Sequence, residues 1–163
     1  MQEYLSEAVI LDREPAGDLD VRLSVFTKRF GKFVVKAKSA RRITSKLAGH
    51  LQPGNLVDAR IVEKNGLQIV DVLKKRRLDI APADLHRLDL ILAEAEPEPR
   101  LWRELVGDKF VWWEVLGILG WEPAAAQCGA CDGTEDLVFS ISGQEFFCGN
   151  CSSKLDQNEV IYI

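Results

Sequence analysis

Four cysteines, the only ones in a chain of 163 residues, stand as two Cys-x-x-Cys pairs, Cys128 with Cys131 and Cys148 with Cys151. Thiolates in that pattern are zinc ligands: each short turn offers two sulfurs, and four sulfurs close a tetrahedron with no position open for water. Gly129-Ala130 and Gly149-Asn150 are small enough to ease the two turns. Between the pairs, Leu137–Ile141 and Glu145–Phe147 flank a turn at Ser142-Gly143, which reads as a hairpin. The stretch from about 124 to 155 is therefore expected to be a zinc ribbon holding one structural Zn²⁺. Two disulfides are the plain alternative, but they persist in oxidising compartments and nothing marks this chain as secreted. A redox Cys-x-x-Cys is expected beside a βαβ pattern, and a catalytic zinc keeps one ligand position open. Neither condition is met. The cysteines point to an architecture and leave the activity undecided.

A second group of residues could bind phosphate. The net charge of −4 hides a division, because residues 1–80 hold 16 Lys and Arg against 10 Asp and Glu, and residues 81–163 hold 5 against 15. From Val21 to Val57 there is no acidic residue at all. Lys28, Arg29, Lys32, Lys36, Lys38, Arg41, Arg42 and Lys46 are concentrated there, with Phe26, Phe30 and Phe33 interleaved. A solvated basic face is the bland reading. Surfaces ordinarily mix both signs, however, and cations without counter-charges can neutralise phosphates and release counterions. Nucleic-acid binding is the expectation, with aromatic rings available for base stacking.

Other chemistries find little support. There is no Walker A loop, His50 and His86 are isolated, and the acidic residues of the second half suit a solvated helix face. No enzyme and no small-molecule substrate are expected. The first residues lack a basic, then apolar, leader, and no apolar run is long enough to span a bilayer. A cytoplasmic protein without a membrane contact is the expectation.

Periodicity supplies the elements that must position these groups. Strands are predicted at 4–13, 19–27, 33–38, 56–63 and 67–73, with turns at Glu14–Asp18, Phe30–Lys32 and Lys64-Asn65-Gly66. Leu19, Val21, Leu23 and Val25 alternate with polar residues, the mark of a half-buried strand. A short helix is predicted around Ser45–His50. Five short strands with an interruption after the third suggest an OB-type five-stranded β-barrel, although five strands equally fit an SH3-like barrel. Helices are predicted from Ala81 until Glu96-Pro-Glu-Pro99, around Leu101–Val106, and over Phe110–Leu119 with Asp108 as N-cap. The last is apolar nearly all round, so its tryptophans read as core. The expected class is α+β: a barrel domain over 1–78, then a small helical domain over 79–163 carrying the Cys₄ ribbon.

Particular residues also resemble a known family. Glu7-Ala-Val-Ile-Leu11, Gly17-Asp-Leu-Asp20, Val25-Phe-Thr-Lys-Arg-Phe-Gly-Lys32, Ala37-Lys-Ser-Ala-Arg-Arg42, Ser45-Lys46 and Leu51-Gln-Pro53 are similar to the N-terminal domain of the bacterial DNA repair protein RecO family. Phe110, Val115-Leu116, Leu119-Gly120 and Pro123 resemble that family's approach to its zinc site. The resemblance implies an N-terminal OB fold and a helical domain with an embedded Cys₄ element. It also implies binding to single- and double-stranded DNA, annealing of complementary strands, and action with RecR to replace the single-strand-binding protein SSB by RecA. Two departures stand out. Family members commonly carry glycine where this chain has Ser39, and the helical part between Ala81 and Cys128 is short. A non-enzymatic RNA-binding or ribosome-associated module is the runner-up, and a protein–protein adaptor using the acidic half is a third class.

Overall fold

Alternating apolar residues and tight turns lay out the first half of the chain. In the computed structural model, which describes residues 1–163, these are β1 (Gln2–Ala16), β2 (Asp20–Thr27), β3 (Gly31–Ala37), β4 (Asn55–Glu63) and β5 (Leu67–Arg77). Asn65 and Gly66 take positive φ in the three-residue connection between β4 and β5, a conformation that Asn and Gly adopt more readily than other residues. β1 pairs antiparallel with both β2 and β4, β2 with β3, and β4 with β5. The strands neighbour one another in the ring order β1-β2-β3-β5-β4. Their inward side chains, among them Ile10, Leu23, Val25, Val35, Val57 and Ile61, form one buried core with Ala40 and Leu51 from the β3–β4 connection.

The expected OB-type barrel needs correction. β3 and β5 run parallel and meet through the single pair Lys36–Gln68, whereas the other seams are antiparallel ladders. The five strands are therefore a mixed sheet whose last seam is one pair wide, and the regular OB-type barrel wall is not what forms. Parallel neighbours need a long crossover, here the 38–54 connection followed by β4, and the two strands approach each other only briefly.

The rest of the chain does contain short helices and the cysteine cluster. The chain divides into two compact units, Met1–Trp102 and Arg103–Ile163. The division falls inside α2 (Pro99–Val106), not at 78/79 where the composition changes. α1 (Pro82–Ile91) goes with the five strands, burying Leu85 and Leu88. Within the first unit Trp102 faces Phe26, ring centroids 6.3 Å apart, and the Ser24 hydroxyl is hydrogen-bonded to Asp89. β2 is thereby covered on both faces, so Ser24, Phe26 and Thr27 are buried beside Val21, Leu23 and Val25, and the expectation of a half-buried strand fails. The second unit holds one short helix, α3 (Trp112–Ile118), and a three-stranded sheet in the order β7-β6-β8. β6 (Leu137–Ser140) and β7 (Glu145–Cys148) are the ribbon hairpin, and β8 (Val160–Tyr162) adds a strand on the other side of β6.

Smaller differences have local causes. No helix forms at Ser45–His50; successive turns do, closed by Ser45 N–H to Arg42 C=O and His50 N–H to Leu47 C=O. α1 stops at Ile91, ahead of the prolines, because Ala95 N–H donates to Lys32 C=O at 2.9 Å and the segment lies along β3. α3 begins after an extended Val111 with no side-chain cap, so Asp108 does not cap it. Trp102 and Trp112 are buried, but Trp113 is 44% exposed. No helix is long and apolar enough to cross a membrane.

Candidate metal centre and basic surface

Local hydrogen bonds build the cysteine cluster. Cys128 N–H donates to Gly133 C=O at 2.8 Å and Asp132 N–H to Cys128 C=O at 2.9 Å, which curls the first pair into a turn. Gly129 N–H donates to Phe146 C=O at 2.8 Å, fastening that turn to β7, whose last residue is Cys148. The second turn is closed by Ser152 Oγ donating to Gly149 C=O at 3.1 Å. The four predicted ligands are brought together: all four Sγ atoms lie within 4.8 Å of one another, and no disulfide joins them. Cys131 Sγ and Cys148 Sγ are 3.7 Å apart. Zn–S bonds of about 2.3 Å in a tetrahedron set the sulfurs about 3.8 Å apart, so the spacing suits a tetrahedral ion.

The electrostatics point the same way. Backbone N–H groups, that of Cys148 first and those of Ala130 and Cys131 after it, converge on Cys128 and hold its thiol down at about 6. Cys151 is pushed up to about 12, first by its hydrogen bond with Cys148 and then by the sulfurs of Cys128 and Cys131. One thiol ionises readily while another keeps its proton against the negative charge around it. A cation at the centre would take over from that proton. The residues present can hold a metal ion.

The basic residues divide into two groups. Lys28 Nζ lies 2.9 Å from Glu7 Oε2, and Lys36 Nζ lies 2.9 Å from Asp20 Oδ2. Arg29 donates to Leu5 C=O and lies over the Phe30 ring, 5.1 Å from its centroid. Lys32 is buried, paired with Asp89 Oδ1 at 3.1 Å and donating to the Asp89 carbonyl at 2.7 Å. The acid-free run in sequence is thus not an acid-free surface, because carboxylates arrive from β1, the residue opening β2, and α1. Lys38, Arg41, Arg42 and Lys46 form the other group. All four are exposed, and none makes a salt bridge.

These four sit on a connection that is firmly anchored. Ala40 and Leu51 are fully buried at either end of it. Arg41 N–H donates to Leu19 C=O at 2.9 Å, and Arg41 Nη1 donates to Gly17 C=O at 3.2 Å. Ser39 N–H donates to Asp20 Oδ1 at 2.8 Å; this bond first, and Lys36 second, hold the Asp20 carboxyl below the usual range. Further along, Lys74 N–H donates to His50 Nδ1 at 2.9 Å, joining the exposed end of β5 to the same connection. Lys74, Arg76 and Arg77 therefore belong among the candidates. They lie outside the basic group read from the sequence, although four consecutive cations at 74–77 are signal enough. The aromatic expectation fares less well: Phe26 and Phe33 are buried, and Phe30 is stacked on Phe33 and edge-on to Tyr4.

Comparison with known proteins adds a separate line. The family model for the recombination protein O N-terminal region matches residues 1–76. A DNA repair protein RecO of Bifidobacterium longum is 27% identical over 177 aligned positions, covering 91% of this chain and 74% of that protein. The Bartonella quintana DNA repair protein RecO is 34% identical over 114 positions, covering 61% of this chain and 45% of its own length. One from Cutibacterium acnes is 34% identical over 70 positions, covering 43% and 28%. These matches, to the N-terminal model and to several bacterial relatives, support assignment of the chain to the RecO family.

Proposed function

We propose that the protein is a RecO-like DNA repair and recombination mediator that holds DNA on the first unit through the anchored β3–β4 connection. The observation that carries this reading is the set of exposed cations, Lys38, Arg41, Arg42 and Lys46, none of which makes a salt bridge, although Lys38 lies in the field of Asp20. Arginine forks engage phosphate oxygens in pairs, and each neutralised phosphate releases counterions. Lys74, Arg76 and Arg77 extend the surface. Lys28 and Lys36 bind phosphate only by giving up Glu7 and Asp20, and Lys32 only by leaving the buried pair with Asp89, so they contribute less.

On this reading the cysteine cluster holds one Zn²⁺ with a structural role, since four thiolates leave no open coordination site. Family membership supports annealing of complementary strands and, with RecR, replacement of SSB by RecA. Neither step demands hydrolysis or any catalytic residue in this chain. The compartment is the cytoplasm, where DNA is found and thiols remain reduced.

The test is charge reversal on the full chain, Arg41→Glu with Arg42→Glu, titrated against fluorescent single-stranded oligonucleotides at several salt concentrations. Affinity should fall alike for every sequence, because phosphates carry no base identity. The log–log salt slope should become shallower by roughly one per lost contact. Unchanged affinity and slope would move the site off this connection. Preferential binding of structured RNA would favour an RNA-binding module instead, and annealing of SSB-coated strands checks the mediator role directly.

A further inference from the structure

The apex of the basic connection carries a residue that charge does not explain. Ile43 is 105% exposed, more than any other large hydrophobic side chain in the protein. It follows Arg41-Arg42 and precedes Lys46, among side chains that point at no carboxylate. The exposure is held by structure. Arg42 N–H donates to Ser39 C=O at 3.1 Å and Ser45 N–H to Arg42 C=O at 2.9 Å, so Ile43 sits inside a closed turn. Leu47 N–H donates to Ser45 Oγ at 3.3 Å just behind it, and Leu47 packs against the buried core.

Burying an isoleucine is favourable relative to leaving it in water. Here Leu47, four residues on, packs down, while Ile43 is presented outward between cations. A ligand that satisfies both features must be an anion carrying apolar faces. Nucleic acid is such a ligand: its phosphates suit the arginines, and its base faces suit an aliphatic side chain. Apolar residues flanked by cations enter between bases in just this way and unstack them.

We infer that Ile43 is a wedge that inserts between adjacent bases of the strand held by Lys38, Arg41, Arg42 and Lys46. This rests on the DNA-binding reading above and adds to it a mode of engagement: the protein unstacks the strand as it grips it. Separated bases are available for pairing with a complementary strand, so the wedge contributes directly to annealing. It also sets a preference, since unstacking a single strand requires less work than opening a paired duplex.

The experiment uses the full chain and single-stranded oligodeoxyadenylate with 2-aminopurine at an internal position, whose fluorescence is quenched by stacking. Wild type should raise the fluorescence on binding. Ile43→Asn should lose most of that rise and bind roughly tenfold more weakly, the share expected of one buried aliphatic side chain. Its salt slope should match wild type, because no cation has been removed. Ile43→Leu should restore both signals. Side-chain exposure makes a folding defect unexpected, and matching thermal melts confirm its absence. Binding by wild type with no fluorescence rise overturns the wedge but leaves the phosphate contacts standing, as does an Ile43→Asn variant indistinguishable from wild type. Failure of wild type to bind the oligonucleotide at low salt overturns the DNA-binding reading and the wedge with it.

Discussion

Gly31, at the start of β3, offers a sharp test of how the segment after α1 is held. Its φ is +75°, and a Cβ built there would lie 2.4–2.5 Å from the backbone C, N and O of Glu96. Backbone atoms cannot rotate aside as a side-chain tip can. Gly31→Ala therefore combines two costs. The left-handed conformation costs a residue with a Cβ about 1–2 kcal/mol. Relieving the overlap requires the 94–96 segment to move, which breaks the 2.9 Å bond from Ala95 N–H to Lys32 C=O, worth about 1 kcal/mol. The sum is about 2–3 kcal/mol. Gly17→Ala is the matched control, since Gly17 has φ +63° and nothing within 4 Å of its would-be Cβ, leaving only the conformational cost. Urea unfolding of both variants should show Gly31→Ala with the lower midpoint at unchanged m-value, and hydrogen exchange at Ala95 should accelerate in that variant alone. Equal midpoints for the two variants, or unchanged protection of Ala95, would refute the account of a segment locked against β3.

Ser39 has φ +54°, so Ser39→Gly should raise stability by about 0.5–1 kcal/mol; a lower unfolding midpoint would show that the serine has a compensating role. Cys148→Ser removes a thiolate from β7, so metal content by mass spectrometry should fall and near-ultraviolet signals from Trp121 and Phe139, which pack at 4.9 Å in the second unit, should weaken; a metal-free wild-type protein that is fully folded would end the idea of a structural ion.

What the sequence disclosed was mostly what its near neighbours decide. The cysteine turns close within a few residues, the Asn65-Gly66 hairpin within three, and the β6–β7 hairpin within a dozen, so spacing and turn chemistry suffice to read them. The positive φ of Ser39, by contrast, runs against the preference of a residue with a Cβ, and only the resemblance, with its glycine at this position, hints at it. The misreadings involve partners far apart in the chain. Lys32 finds Asp89 fifty-seven residues away, and Phe26 finds Trp102. Those contacts cover the outer face of β2, draw α1 into the first unit, and move its boundary past the change in composition. β8 joins β6 from the end of the chain, with no signal in its three residues beyond apolarity.

The charge pattern shows most clearly why function was harder to read than fold. An unbroken basic run suggested eight equivalent phosphate ligands, yet β1 brings Glu7 to Lys28 and to Lys75, β2 begins with the Asp20 that takes Lys36, and α1 supplies Asp89 to Lys32. Three-dimensional pairing thus sorts the run by availability. Each of its cations on a strand or a tight turn is engaged by a carboxylate, a carbonyl or a ring, and apart from Arg29 those with no salt bridge lie on the long β3–β4 connection. The same connection is pinned at both ends by buried side chains, so its charges are displayed on a fixed frame and do not trail from a free loop. A polyanion meeting this surface loses little protein entropy on binding and displaces no internal ion pair from these four residues. On the proposed reading, that combination favours the connection over the β2–β3 turn as the place to grip a nucleic-acid strand.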